Sequence, residues 1–392
     1  MAELEQGPPS AELAAALAQL GRVHVIAGRG ELALPPLERA LAIAERRQVP
    51  EVFVEALTSK GLVLGLSGRF DEARILLRAA VERAYAEELF TSALRAENNL
   101  AVILQSLDLH VEALAVASRC ALLARRRGDR RWESTMRVGS LIHLYLLGRW
   151  DEAAAIAAEE RPIAVSTNNR AELLTLTLIH CWRGETEEAR AFLETDADLR
   201  TSANPQASSA AALFEAFLLR FEGAPREALA AAERGFAHLG DLPISETVIK
   251  LCLIEVIESA LALGDLDKAA ELLAVPESLD PGDMTPLLEA NALRLRARLD
   301  AARGDQAHVD ARYRSAAARS LEFDLPVYLA LTQLEHGEWL EAQGRADEAE
   351  PLLSEAASTF ERLEAVPWLE RARRTSASAS GVVSSAITSN QT

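Results

Sequence analysis

The chain has 392 residues, 49% of them hydrophobic and 26% charged, too apolar for a disordered protein and long enough for a sizeable core. A formal net charge of −18 opposes long-range attraction to nucleic acid or to an anionic membrane, so neither is an expected partner. Cys120, Cys181 and Cys252 are far apart and odd in number, which argues against a disulfide framework or a CxxC metal site and for small core side chains.

Residues 1–9 form an N-terminal flank with no basic segment leading into an apolar run, and no stretch of the chain approaches a membrane span. The expectation is a soluble, cytoplasmic protein. From Ser10 onward one signal recurs. GRGELA begins at Gly28, GRFDEA at Gly68, DLHVEA at Asp108, GRWDEA at Gly148, GETEEA at Gly184, GAPREA at Gly223, GDLDKA at Gly264, GDQAHV at Gly304 and GRADEA at Gly344. Nine anchors at a period of about 40 residues identify a repeat array.

Other positions repeat in phase. A small residue stands seven positions before the anchor in six units, as Gly21, Gly61, Ala101, Ala216, Ala297 and Gly337. Another stands twelve positions after it, as Ala40, Ala80, Cys120, Gly235, Ala316 and Ala356. Small residues fixed relative to a turn mark places where helices approach too closely for a larger side chain. Around them the apolar spacing is helical: Leu57, Gly61, Leu64 and Leu66 before the Gly68 turn, then Phe70, Ala73, Leu76, Leu77, Ala80 and Val81 after it. In each unit the glycine ends one helix, and the acids begin the next, where the helix dipole favours them.

Prolines punctuate the boundaries between units, as in VPE at Val49, DLPIS at Asp241, DPGDMTP at Asp280, DLPVY at Asp324 and AVPWL at Ala365. The predicted fold is all-α, a right-handed α-solenoid of about nine helical hairpins spanning residues 10–374. The fourth and fifth units are shorter around RPIAVSTNN (Arg161 to Asn169) and TDADLRTSANPQ (Thr195 to Gln206), where a bend is expected. Residues 375–392 are small and polar without a helical stripe, and read as a disordered tail.

A Gly/Ala followed seven residues later by a Gly-x-x-x-Glu-Ala turn, and then by a further Ala, resembles the tetratricopeptide repeat with a lengthened period. The stretches LRAENNLAVIL (Leu94 to Leu104) and STFERLEAVPWLERARR (Ser358 to Arg374) resemble the C-terminal repeat regions of bacterial signalling ATPases. These include the maltose-regulator type of LuxR-family activators and ATPase-linked adenylate and guanylate cyclases. The chain has no GxxxxGK[ST] phosphate loop, no cyclase-like region and no helix-turn-helix pattern after Arg374. The resemblance therefore implies only the role of the array: binding a protein or peptide, or a small effector, in signalling.

Candidate chemistry is sparse. The pairs Asp71-Glu72, Asp151-Glu152 and Asp347-Glu348 sit at helix starts and point apart, so they do not make a facing acid/base pair. The histidines form no HExxH, and His24 and His180 occupy one equivalent position four residues before their anchors. No catalytic group, cofactor or metal site is predicted. The basic run RRRGDRRW (Arg125 to Trp132) falls at a boundary between hairpins, where arginines complement a helix C-terminus. Arg95, Asn98 and Asn99 are the main candidate binding residues. Arg95 and Asn99 share a face of a first helix, and asparagine in mid-helix needs a reason other than propensity. A guanidinium beside carboxamides suits a peptide backbone or a carboxylate. Arg294 and Arg298, also four apart on a first helix, form a second candidate patch. The expected function is a non-enzymatic, protein- or peptide-binding regulatory module that binds through its concave face. A small-molecule or signalling-peptide sensor is the alternative.

Overall fold

A computed structural model describes residues 8–166, 175–195 and 197–375, and those residues are helices and turns without a strand. They group into two compact units, residues 1–140 and residues 141–392. The expected tail lies outside the described residues from 376 onward, as does most of the second half of RPIAVSTNN.

The first unit contains α1 (Ala11–Ile26), α2 (Gly30–Arg47), α3 (Pro50–Leu66), α4 (Phe70–Ala86), α5 (Phe90–Ser106), α6 (His110–Arg126) and α7 (Arg130–Gly139). The second contains α8 (Leu141–Leu146), α9 (Trp150–Ser166), α10 (Thr175–Arg183), α11 (Thr186–Thr195), α12 (Pro205–Phe221), α13 (Pro225–Phe236), α14 (Thr247–Leu263) and α15 (Leu266–Glu277). It continues with α16 (Pro286–Arg303), α17 (Val309–Glu322), α18 (Pro326–Ala342), α19 (Ala346–Arg362) and a final helix, α20, over residues 366–375. In the fourth repeat the first helix is interrupted at Ser140, whose hydroxyl donates to the Arg137 carbonyl at 2.6 Å.

Every one of the nine anchors is left-handed. Gly68 has φ +78°, its N–H donates to the Gly65 carbonyl, and the next N–H, of Arg69, donates back to the Leu64 carbonyl at 2.9 Å. This closure satisfies carbonyls that the helix end would otherwise leave unpaired. Asp108 adopts the same turn at φ +58° without being glycine. Aspartate is among the few residues that tolerate this region at a modest cost. Gln48, Glu88, Gly128, Asp324 and Glu364 form equivalent closures between hairpins, so the helix-and-turn unit alternates about every 20 residues. Pro50, Pro286 and Pro326 each stand at the start of a first helix, where a missing N–H is harmless.

The small positions act as the spacing implies. A Cβ on Gly61 would lie 2.7 Å from Leu77 Cγ, and the same geometry sets Gly21 against Leu37 at 2.5 Å and Gly337 against Leu353 at 2.7 Å. Ala40, Ala80, Cys120, Ala316 and Ala356 are fully buried. In GRFDEA, Ala73 is buried while Asp71 is exposed and pairs with Arg74 at 3.0 Å. The hexapeptide is thus a turn, a helix start and a packing contact. Leu66, expected on the buried face, is half exposed, although Leu64 and Gly65 in the same last turn of α3 are buried.

Within each unit, apart from α5 and α7, the first helices of neighbouring hairpins touch one another, and the second helices make no comparable contact. The first helices are therefore the inner layer. Gly65 permits this closeness in the first unit, since a Cβ there would fall 2.1 Å from Ile103 Cδ1 of α5.

Candidate functional site

In the first unit the inner layer is α1, α3 and α5, and their polar side chains form a ladder. Gln19 Nε2 of α1 donates to Glu55 Oε2 of α3 at 3.0 Å, and Arg95 Nη2 of α5 donates to Ser59 Oγ of α3 at 2.6 Å. Each bond joins residues 36 apart, so successive rungs use equivalent positions of successive repeats. Arg95 and Asn99 therefore do share an inner-layer helix. Asn99 is 8% exposed, and its side-chain oxygen accepts from Asn98 Nδ2 at 3.5 Å, a long contact.

Arg95 is only partly satisfied. Its Nη1 is buried without a hydrogen-bond partner, while Nη2 has Ser59. Burial first, and then the charge of nearby Arg22 on α1, pushes its guanidinium down to about 10, with Glu55 acting in the opposite direction. Arg22 carried no sequence signal: the equivalent residues of the next two units are Leu62 and Val102, so it is a departure from the repeat rather than part of it.

The second candidate patch is a different kind of structure. Arg294 is 1% exposed. Its Nη1 donates to both oxygens of Glu335 at 2.9 and 3.0 Å, its Nη2 reaches Glu258 at 2.5 Å, and its Nε reaches Asn291 at 3.3 Å. Arg298 Nη1 pairs with Glu258 at 2.5 Å and with Glu335 at 3.1 Å. Burial opposes charge on Glu258, but Arg294, Arg298 and Arg220 overcome it and hold the carboxyl well below its ordinary range. Rather than an open patch, these arginines are the centre of a buried ion cluster joining α14, α16 and α18.

The second unit also closes on itself. Trp182 of α10 lies 5.1 Å, centroid to centroid, from Trp368 of α20, and donates through Nε1 to Tyr145 Oη at 3.0 Å. Arg183 reaches the Leu363 carbonyl and the Glu364 carboxylate at 3.4 and 3.5 Å. Gly148 packs against Pro326 and Gly184 against Pro367, where an added Cβ would come within 2.9 Å in each case. Phe217, Phe221 and Phe360 complete the aromatic seam.

The remaining candidates have local duties. In RRRGDRRW, Arg127 lies 3.5 Å from the Phe90 ring centroid, Arg130 pairs with Glu133 at 2.6 Å, and Asp129 caps α7 by accepting from the Trp132 N–H at 3.1 Å. His180 contacts Glu185 at 2.7 Å, whereas His24 Nδ1 is buried without a partner. Cys120, Cys181 and Cys252 are free and buried, and burial raises each thiol above its ordinary range. Among the described residues, no group of three His, Cys, Asp or Glu side chains could hold a metal ion, and no helix is long and apolar enough to cross a membrane.

No family model matches the chain, and no curated protein matches it. Solved structures do. A Rap conjugation gene regulator of the plasmid pLS20, in complex with a Phr peptide, is similar at 13% identity over 79% of this chain and 95% of its own, with a TM-score of 0.53. A Rap protein complexed with competence and sporulation factor covers 95% of this chain and 99% of its own at 11% identity and TM-score 0.48. The apo quorum sensor NprR from B. thuringiensis covers 88% and 86% at 12% identity and TM-score 0.40. Together with the stacked hairpins and their common turn, the first of these likenesses shows an all-helical repeat fold of the tetratricopeptide type.

Proposed function

We propose that the chain is a regulatory scaffold that binds a peptide or protein along the inner face of its first unit, with Asn98, Asn99 and Arg95 as contact residues. The single observation that carries this is Asn99: a carboxamide nine-tenths buried on the inner layer, held by nothing stronger than the long contact to Asn98. A carboxamide offers a donor and an acceptor together, which is what one peptide unit of an extended chain presents. Arg294 and Arg298 stand outside the proposed site, because their charges are already matched within the protein.

The Phr-peptide complex of the structurally similar Rap regulator, and the sequence resemblance to the repeat regions of bacterial signalling ATPases, favour a place in bacterial signalling. The test is selection from a displayed library of random peptides on the wild-type protein, followed by binding of the selected peptides to Asn98→Ala/Asn99→Ala. The expected outcome is enrichment on the wild type and at least a tenfold loss on the double variant. Selected peptides that bind both proteins equally would contradict the assignment.

A further inference from the structure

In the sixth repeat, where α12 and α13 meet at the open end of their hairpin, three side chains stand in line. His238 lies in a single 3-10 turn (Ala237–Gly240) that continues α13. Its Nδ1 is 3.1 Å from Asp241 Oδ2, and its Nε2 is 3.0 Å from the hydroxyl of Ser208 on α12. An ionised carboxylate only accepts, so Asp241 takes the Nδ1 proton and leaves Nε2 as the acceptor facing the hydroxyl. Ser208 Oγ also lies 3.3 Å from the Pro205 carbonyl, the longer of its two contacts. Ser208 is half-buried, and the side chains of His238 and Asp241 are 32% and 61% exposed, so all three are open to a small molecule.

Packing does not require this arrangement. Ser208 stands fifteen residues before the anchor Gly223, and His238 and Asp241 fifteen and eighteen after it. The same three places hold Leu13, Ile43 and Arg46 in the first repeat, with the two apolar residues in one core cluster. In the eighth repeat they hold Glu289, Arg319 and Glu322, and the arginine pairs with both glutamates. An apolar contact or an ion pair is therefore enough to join the two helices. The sixth repeat places a nucleophile, a base and an acid there instead.

We propose that Ser208 is an acyl-acceptor site that takes an acyl group from an activated ester, with His238 as base and Asp241 holding the imidazole. Ser208 Oγ bonds to the acyl carbonyl carbon and passes its proton to His238 Nε2. The bond to the leaving thiolate or aryloxide then breaks, and the leaving group takes that proton. The products are acyl-Ser208 and a free thiol or phenol. The surroundings also select the donor. At the start of α12, Asn204 Oδ1 accepts from the Gln206 and Ala207 N–H groups at 2.9 and 3.5 Å, and the Asn204 carbonyl accepts from the Ser208 N–H at 3.0 Å. With those donors taken, the helix start gives a tetrahedral oxyanion little stabilisation. Transfer is thus restricted to acyl groups on good leaving groups, thioesters or aryl esters, and excludes amides. The site lies in the second unit and is independent of the peptide-binding reading.

The test incubates the full chain with p-nitrophenyl acetate or with the acetyl thioester of N-acetylcysteamine, and reads acetylation residue by residue by peptide mass spectrometry. Ser208 should be acetylated by one or both donors at least about a hundredfold faster than Ser67 and Ser278, exposed serines elsewhere in the chain. His238→Gln keeps a hydrogen-bonding side chain but no base, and should slow labelling of Ser208 by at least about a hundredfold. Asp241→Asn should slow it by less, and circular dichroism confirms that each variant folds. Transfer from one donor and not the other identifies the leaving group while supporting the site. Labelling of Ser208 no faster than that of Ser67 and Ser278, or undiminished in His238→Gln, overturns it.

Discussion

Arg95 in the first unit and Arg294 in the second sit on the same kind of element, the middle of an inner-layer helix, yet they solve opposite problems. Arg294 is enclosed by Glu258, Glu335 and Asn291 and has no capacity left for a ligand. Arg95 holds one hydrogen bond to Ser59 and a buried donor with none. The difference is one of supply. In the second unit α14 and α18 carry buried glutamates on either side of the arginine helix, whereas Arg95 meets only the Ser59 hydroxyl on α3 and feels the like charge of Arg22 on α1. The second inner face is cemented by its own charges, and the first leaves a buried guanidinium nitrogen without a partner.

The largest expected effect breaks this comparison most easily. Removing one member of a buried ion pair strands the others, so Arg294→Ala should cost about 3–5 kcal/mol in denaturant unfolding. Arg95→Ala should stay within about 1 kcal/mol, since it loses one hydrogen bond and relieves one unpaired donor. Equal losses would mean that the two arginines are equally structural.

Next comes the closure of the second unit. Gly28 and Gly184 are both left-handed, at φ +68° and +84°, but a Cβ on Gly28 meets nothing within 4 Å and one on Gly184 meets Pro367 at 2.9 Å. Gly28→Ala should therefore cost only the backbone strain, about 1–2 kcal/mol. Gly184→Ala should cost that and a further ~1–3 kcal/mol of overpacking. Identical melting temperatures for the two variants would remove the contact between α10 and α20 from the account.

A third effect is set by pH. Asp310 is opposed by burial but receives hydrogen bonds from Arg314, Arg345 and His336, which bring its carboxyl down to about 2. A carboxylate with a depressed folded value stabilises above its unfolded value and loses that contribution as pH falls through the folded one. Melting temperature should therefore drop between about pH 4 and pH 2 more steeply in the wild type than in Asp310→Asn. Parallel acid limbs would contradict the assignment. The smallest effect is Asp71→Asn, a few tenths of a kcal/mol from the dipole of α4 and an exposed pair with Arg74. A large loss there would reopen the reading of GRFDEA as chemistry.

The fold was mostly legible in the sequence because its information is local. A glycine that must be left-handed, a small residue that must face a leucine and a proline that must start a helix each act within one hairpin, so each recurs with the period. Even Asp108, without glycine, stands in phase and keeps the Glu-Ala that ends the hexapeptide, and its backbone adopts the same left-handed turn. What was not legible is long-range or singular. The seam from Trp182 to Trp368 and the packing of Gly148 on Pro326 depend on small rotations accumulated over several hairpins, which no single repeat encodes. Arg294 and Arg298 looked like a ligand patch because spacing shows that two arginines share a face, but not that Glu258 and Glu335 come from adjacent helices to meet them. Arg22 was missed for the converse reason: it stands where its repeats carry Leu62 and Val102, and a departure from periodicity is invisible to a search for periodicity.

Hydrogen–deuterium exchange of the full chain, with and without a library-selected peptide, tests the contrast between the two units most directly. The account predicts slowed exchange in α1, α3 and α5, centred on the turns of helix that carry Arg22, Ser59 and Asn99, with α14, α16 and α18 unchanged. Protection confined to residues 141–375 would contradict it.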